Sequence, residues 1–131
     1  MELNAHEMEL YMGLLKGILA NANSKRSIIT PQEARKLMGN SGSYVLLDVR
    51  TQSEYRQDRI DGAALIPVDE LAGRAAVELP DKQMPIFIYC QSGARAAKAV
   101  KILVQLGYKN VLSFGGIMDW PYGTVKGKIV N

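Results

Sequence analysis

In Pro85-Ile86-Phe87-Ile88-Tyr89, consecutive residues are apolar or aromatic, with no alternation between apolar and polar. A strand sends successive side chains to opposite faces, so such a run suits only a strand covered on both sides. Tyr44-Val45-Leu46-Leu47 and Ala63-Ala64-Leu65-Ile66 read the same way, and Val111-Leu112 is a shorter instance. Helix-patterned stretches separate them. The alternation predicts an α/β fold with a parallel central sheet and helices on both faces. Its strands are expected over 44–47, 63–66, 84–89 and 111–112.

The helix starts are written in the chain as capping boxes. Thr30-Pro31-Gln32-Glu33 places an N-cap hydroxyl, a first-turn proline and a reciprocating glutamate, and Thr51-Gln52-Ser53-Glu54 repeats the cap and the glutamate. These helices are expected to end near Gly39-Asn40 and Gln57. A third is expected from Val68 to about Leu79. A fourth runs from Ala94 to Leu106, with Ala97, Val100, Ile102, Leu103 and Leu106 as its apolar side and Gly107 as its stop. Gly115-Gly116 is expected to turn the chain into a segment containing Trp120.

A chain of 131 residues suits one ordinary domain with its own core. With 47% hydrophobic and 22% charged residues, neither disorder nor a disulfide scaffold is indicated. The net charge of +3 is mild, no run of five like charges occurs, and aromatics are not interleaved with basic residues. No nucleic-acid partner is expected, whereas a small anionic ligand suits the sign. Leu3, Met8, Tyr11, Met12, Leu14, Leu15, Ile18 and Leu19 recur at roughly helical spacing. They predict an amphipathic helix across about Leu3 to Ala20, dividing the chain into a 1–27 extension and a 28–131 domain. Glu2, Glu7 and Glu9 make its start acidic and Lys16 interrupts its apolar run. Neither a signal peptide nor a membrane span is therefore expected. Capping of the domain is the expected role, with self-association or a partner contact left open.

In open parallel sheets the ligand site lies at the C-terminal strand ends. Two chemically loaded loops fall there, Asp48-Val49-Arg50 and Cys90-Gln91-Ser92-Gly93-Ala94-Arg95. Cys90 is the only cysteine, so no internal disulfide forms, and a reducing, cytoplasmic setting is expected. A thiol between a strand end and a helix N-terminus sits among N–H groups and a positive dipole end, which favours the nucleophilic thiolate. Gly93 lets successive N–H groups converge, and Ser92 adds a hydroxyl. Arg95 adds a permanent charge that can face an anion or brace the loop from below. One cysteine and the distant His6 make neither a metal site nor a Cys–His pair. Activation must then come from N–H groups, the dipole and Arg95. A purely structural cysteine would need neither Gly93 nor Arg95.

These residues resemble the single-domain rhodanese-like (thiosulfate sulfurtransferase) family. The Cys-x-x-Gly-x-Arg loop is matched by Cys90, Gly93 and Arg95, and Leu47-Asp48-Val49-Arg50 with Glu54-Tyr55 is similar to the family's Asp-x-Arg segment. Arg59-Ile60-Asp61-Gly62-Ala63 through Ile66-Pro67, and Gly115-Gly116-Ile117 with Trp120, continue the match, which covers about Ile28 to Pro121. Asp58-Arg59 departs from the usual Gly-His, removing a structural histidine. Gln91 stands where a basic residue is frequent in thiosulfate-using members.

The resemblance implies a sulfurtransferase without cofactor or metal. Cys90, the catalytic residue, attacks the outer sulfur of an anionic donor such as thiosulfate. It becomes a persulfide and passes that sulfur to cyanide or a thiol, with a protein as a further option for donor or acceptor. Gln91, Ser92, Gly93, Ala94 and Arg95 would bind substrate. Asp48 would order backbone or Arg95, and Arg50 would pair with an acid or steer the donor. Two rivals stand beside this reading. A binding or regulatory module of the same fold would show little turnover. A cysteine phosphatase or arsenate reductase would need five residues between cysteine and arginine, where this chain has four.

Overall fold

A computed structural model describes residues 5–6 and 27–127. The expected helix over Leu3 to Ala20 lies outside the described residues apart from Ala5 and His6, and so does the rest of the separate 1–27 extension except Ser27.

The elements follow the alternation expected from sequence. They are α1 (Pro31–Asn40), β1 (Val45–Asp48), α2 (Gln52–Gln57), β2 (Ala64–Leu65), α3 (Val68–Glu78), β3 (Ile86–Cys90), α4 (Ala94–Gln105) and β4 (Val111–Gly116), then a 3-10 turn over Ile117–Asp119. The four strands form one sheet in the order β2-β1-β3-β4, every pairing parallel. Ile28 adds a single bridge to Ser113 at the β4 edge. Both capping boxes form: Thr30 and Glu33 exchange bonds of 2.9 and 3.0 Å, Thr51 and Glu54 bonds of 3.0 and 3.2 Å.

Alternation of side chains divides the core in two. Leu46, Phe87, Tyr89, Leu112 and Phe114 pack under α1, α2 and the C-terminal segment. Leu47, Ile86, Ile88, Cys90 and Val111 pack under α3 and α4. All five β3 residues are buried, as the apolar run required. Helices therefore cover both faces of the sheet.

Three expectations shift. β3 begins at Ile86 instead of Met84, because Met84 closes a turn through its N–H to the Asp81 carbonyl at 3.2 Å. The buried side of α4 consists of Ala96, Ala99, Val100 and Leu103, while Leu106 is 37% exposed. Small residues let the helix lie close over the end of β3, which outweighs the apolar count used to choose the face. Gly115 and Gly116 form no turn; they end β4, which runs four residues beyond Val111-Leu112.

The strand order puts a reversal between β1 and β3. From β1 the chain steps one way to β2, then returns past β1 to β3 and β4. Connections leaving in opposite directions on opposite faces open a crevice at the carboxyl ends of those two strands. Asp48 ends β1 and Cys90 ends β3.

Candidate active site

Cys90 is 1% exposed, with its sulfur at the base of the loop that leads into α4. Gly93 at φ 120° turns the chain back so that its N–H donates to Sγ at 3.0 Å. An L side chain rarely takes that φ, so this position favours glycine. The second sulfur contact, to the Gly115 carbonyl, is a long 3.9 Å. Gly93 is also the N-cap of α4 and brings no side chain to it. The first-turn N–H groups have no partner within the helix and carry its positive dipole end. Among the described residues the Gly93 amide is the one donor on Sγ. Ser92 is exposed at the rim and Ala94 is the exposed first residue of α4, and neither donates to Sγ itself.

The floor of the loop is backbone against backbone. Gly116 pairs with Cys90 across a register irregularity. A Cβ built on Gly116 would stand 2.0 Å from the Gln91 carbonyl oxygen and 2.7 Å from the Ser92 Cα. Met118 donates its N–H to the same Gln91 carbonyl at 3.4 Å. The chain expected to turn away at Gly115-Gly116 instead supports the cysteine loop. The signal present in sequence was a pair of glycines where a strand comes closest to that loop.

Asp48 and Arg50 form the second half of the site. Arg50 is 1% exposed and Asp48 0%. Arg50 donates through Nε to both Asp48 oxygens at 3.1 Å and through Nη2 to Oδ2 at 2.8 Å. Its backbone N–H meets Asp48 Oδ1 at 2.9 Å. The guanidinium reaches further, to Asp58 Oδ1 at 3.3 Å, the Asp58 carbonyl at 2.5 Å and Gln91 Oε1 at 3.1 Å. Burial pulls the Arg50 pKa down, but the hydrogen bond and charge of Asp48 outweigh it and the net shift is upward. Asp48 orders backbone, as expected, but its side-chain partner is Arg50, not Arg95. Of the two roles open to Arg50, pairing with an acid is the one observed. Gln91 turns its amide oxygen towards Arg50.

Tyr89, next to Cys90 in sequence, faces the opposite side of the sheet. Its hydroxyl accepts the Ile60 N–H at 3.0 Å. Burial first, then the nearby Asp48 charge, push its pKa up, so the phenol stays neutral. The residues on either side of the cysteine, Tyr89 and Gln91, thus both answer to the Asp48–Arg50 pair.

Arg95 braces the loop. Its Nη1 and Nη2 bond Glu54 Oε1 and Oε2 at 2.7 and 3.0 Å, a two-pronged pair joining α4 to α2. Hydrogen bonding from Arg95 holds the Glu54 carboxyl far below its ordinary value, at about 2. Glu54 had a local explanation in its capping box, which hid this second role. Asp58 was likewise missed as a partner of Arg50. Arg59, at the position of the absent histidine, bonds the Tyr55 and Gly127 carbonyls at 3.2 and 3.0 Å and pairs its backbone with Val125. That ties the C-terminal segment to the end of α2.

A cleft of about 280 Å³ lies elsewhere, lined by Arg35, Tyr44, Ile60, Asp61, Trp120 and Tyr122 among others, and no residue of the cysteine loop borders it. Among the described residues no cluster of His, Cys, Asp and Glu could hold a metal ion. No helix among them is long and apolar enough to cross a membrane.

A doubly covered parallel sheet with a cysteine loop at its reversal point defines a class of α/β domain in which chemistry sits on strand ends. Residues 30–121 match the family model of the rhodanese-like domain, and the chain belongs to that family. It is 37% identical over 81 residues to the thiosulfate sulfurtransferase PspE of Escherichia coli, covering 62% of this chain and 78% of that one. It is 32% identical to the probable adenylyltransferase/sulfurtransferase MoeZ of Mycobacterium tuberculosis, covering 87% of this chain but only 29% of that longer one. The structure of the human single-domain sulfurtransferase TSTD1 superposes with a TM-score of 0.64 at 28% identity, over 72% of this chain and 94% of that one.

Proposed function

We propose that this protein is a sulfurtransferase in which Cys90 carries the transferred sulfur as a persulfide. The observation that carries the reading is the placement of Sγ, 3.0 Å from the Gly93 N–H and at the uncapped N-terminus of α4. Negative charge on that sulfur, or on a sulfur attached to it, meets fixed N–H dipoles that need no reorganisation. The sulfurtransferase names of PspE, MoeZ and TSTD1 support the same chemistry.

In the first half-reaction the Cys90 thiolate attacks the outer sulfur of a sulfane donor; with thiosulfate, the S–S bond breaks and sulfite leaves. In the second, cyanide or a thiol attacks the outer sulfur of the persulfide and restores the Cys90 thiolate. Asp48 and Arg50 act as supports, holding Tyr89 and Gln91, and Arg95 holds the loop against α2. With Arg95 turned to Glu54, the loop lacks the guanidinium over the thiol that a phosphatase would use on its oxyanion. A reducing compartment such as the cytoplasm would keep Cys90 competent.

Intact mass tests the reading directly. After incubation with thiosulfate or an inorganic polysulfide, the wild type should gain one sulfur atom, lost again on adding cyanide. Cys90→Ala should gain none. A wild type that stays unmodified with both donors would make the protein a binding module of the same fold.

A further inference from the structure

The cleft of about 280 Å³ lies on the α1 side of the sheet, away from the cysteine loop. Met38, Leu46 and Ile60, all buried, form its floor. Tyr44 and Tyr122 stand at its edge, 41% and 40% exposed, and the partly buried Trp120 joins them. Two charges border it. Arg35, on α1, lays its guanidinium 4.3 Å from the centre of the Tyr122 ring, and Asp61 sits in the turn before β2. Neither has an ion-pair partner among the described residues. Small-molecule pockets run to roughly 300–1,000 Å³, so a cleft of this size suits the side chains of a docked segment better.

The chain itself supplies such a segment. Met8, Met12, Leu15 and Leu19 follow one another at intervals of three or four, which places them along one side of the helix expected over Leu3 to Ala20. Glu9 and Lys16 border that side with opposite charges, two turns or about 10 Å apart along the axis. Ala5 and His6, the described part of this stretch, are helical and exposed. Ile29 is buried in the same cluster as Met38, Leu46 and Ile60, so the chain enters the domain on the face that holds the cleft. Residues 20–27 can span up to about 26 Å, about twice the radius of gyration of a domain this size. A segment on so short a tether meets the cleft at an effective concentration on the order of millimolar, which a separate partner would have to match.

We propose that residues 8–19 of this chain dock in its own cleft as a helix, with Met12 and Leu15 on the floor between the Tyr44 and Tyr122 rings. Glu9 then faces Arg35 and Lys16 faces Asp61, which fixes the direction of the helix and gives each of the two bordering charges its partner. The docked segment covers Trp120 and takes the edges of both tyrosines out of water, the gain expected when exposed apolar surface meets an apolar helix side. The same contacts made by a second copy would lack the tether and would depend on protein concentration. This docking does not rest on the sulfur chemistry at Cys90.

Trp120 is the only tryptophan, so its fluorescence reports on the cleft in the full chain. In the wild type, its emission and its quenching by acrylamide should be those of a shielded indole, unchanged over about a hundredfold dilution. Leu15→Asp sets a charge against the apolar floor and should raise quenching about twofold or more. Asp61→Lys and Lys16→Glu should each raise it at low salt, and the two together should restore the wild-type value. Recovery in the double variant separates docking from a local change at either position. Quenching that Leu15→Asp leaves unchanged overturns the proposal. So does shielding that is lost on dilution as a dimer dissociates, which would give the cleft to a second copy. A double variant no better shielded than the singles also overturns it, by denying Lys16 its place beside Asp61.

Discussion

Gly116 shows how much of this site depends on one missing methyl group. Its hypothetical Cβ falls 2.0 Å from the Gln91 carbonyl oxygen, and the obstacle is backbone that cannot rotate away. Gly116→Ala should cost about 1–3 kcal/mol by overpacking, read from urea denaturation. It should also slow sulfuration of Cys90 by more than its stability loss accounts for, since the loop must lift. Arg50 makes the opposite case, of a buried charge that cannot be removed alone. Arg50→Met leaves Asp48 buried without its cation and should lose about 3–5 kcal/mol. Combining it with Asp48→Leu should recover much of that loss, and a double-mutant cycle measures the coupling. A double variant as unstable as the sum of the singles would deny the pair its role.

Between elements, the Glu54–Arg95 pair is the link that holds α2 against the start of α4. Its side chains are 28% and 36% exposed, so water screens it and its stability contribution is modest. The pH dependence has a definite sign. The Glu54 carboxyl is held at about 2 in the fold against an ordinary value of 4.5, so the pair contributes fully above about pH 4.5. That contribution is lost as pH falls towards 2. The stability difference between wild type and Glu54→Gln should be level above pH 4.5 and vanish near pH 2, as measured by denaturation across that range. A difference that persists unchanged at pH 2 would locate the effect in the capping box instead. Arg95→Ala should slow sulfuration on the order of 10²-fold, because a loop displaced by an ångström loses its alignment with donor and dipole. Full activity in that variant would reduce the arginine to a surface charge.

For the molecule as a whole, consecutive apolar residues determined that the strands are buried on both faces and hence parallel with helices on either side. The capping boxes determined where α1 and α2 begin, because a cap is a contact between residues three apart. The cysteine loop was legible for the same reason: strand, cysteine, glycine and helix follow one another along the chain. Local spacing does not carry information about residues far apart in sequence. Nothing in the order of residues pairs Glu54 with Arg95 or Arg50 with Gln91, each 41 positions apart. Nor does it place Gly116 under the loop. Those contacts arise only once β1, β3 and β4 lie side by side and bring their carboxyl ends to one rim. The cysteine loop was therefore set by the chain itself. How its neighbours are charged and braced was decided by packing, because charge balance and backbone approach depend on distances that sequence separation does not encode.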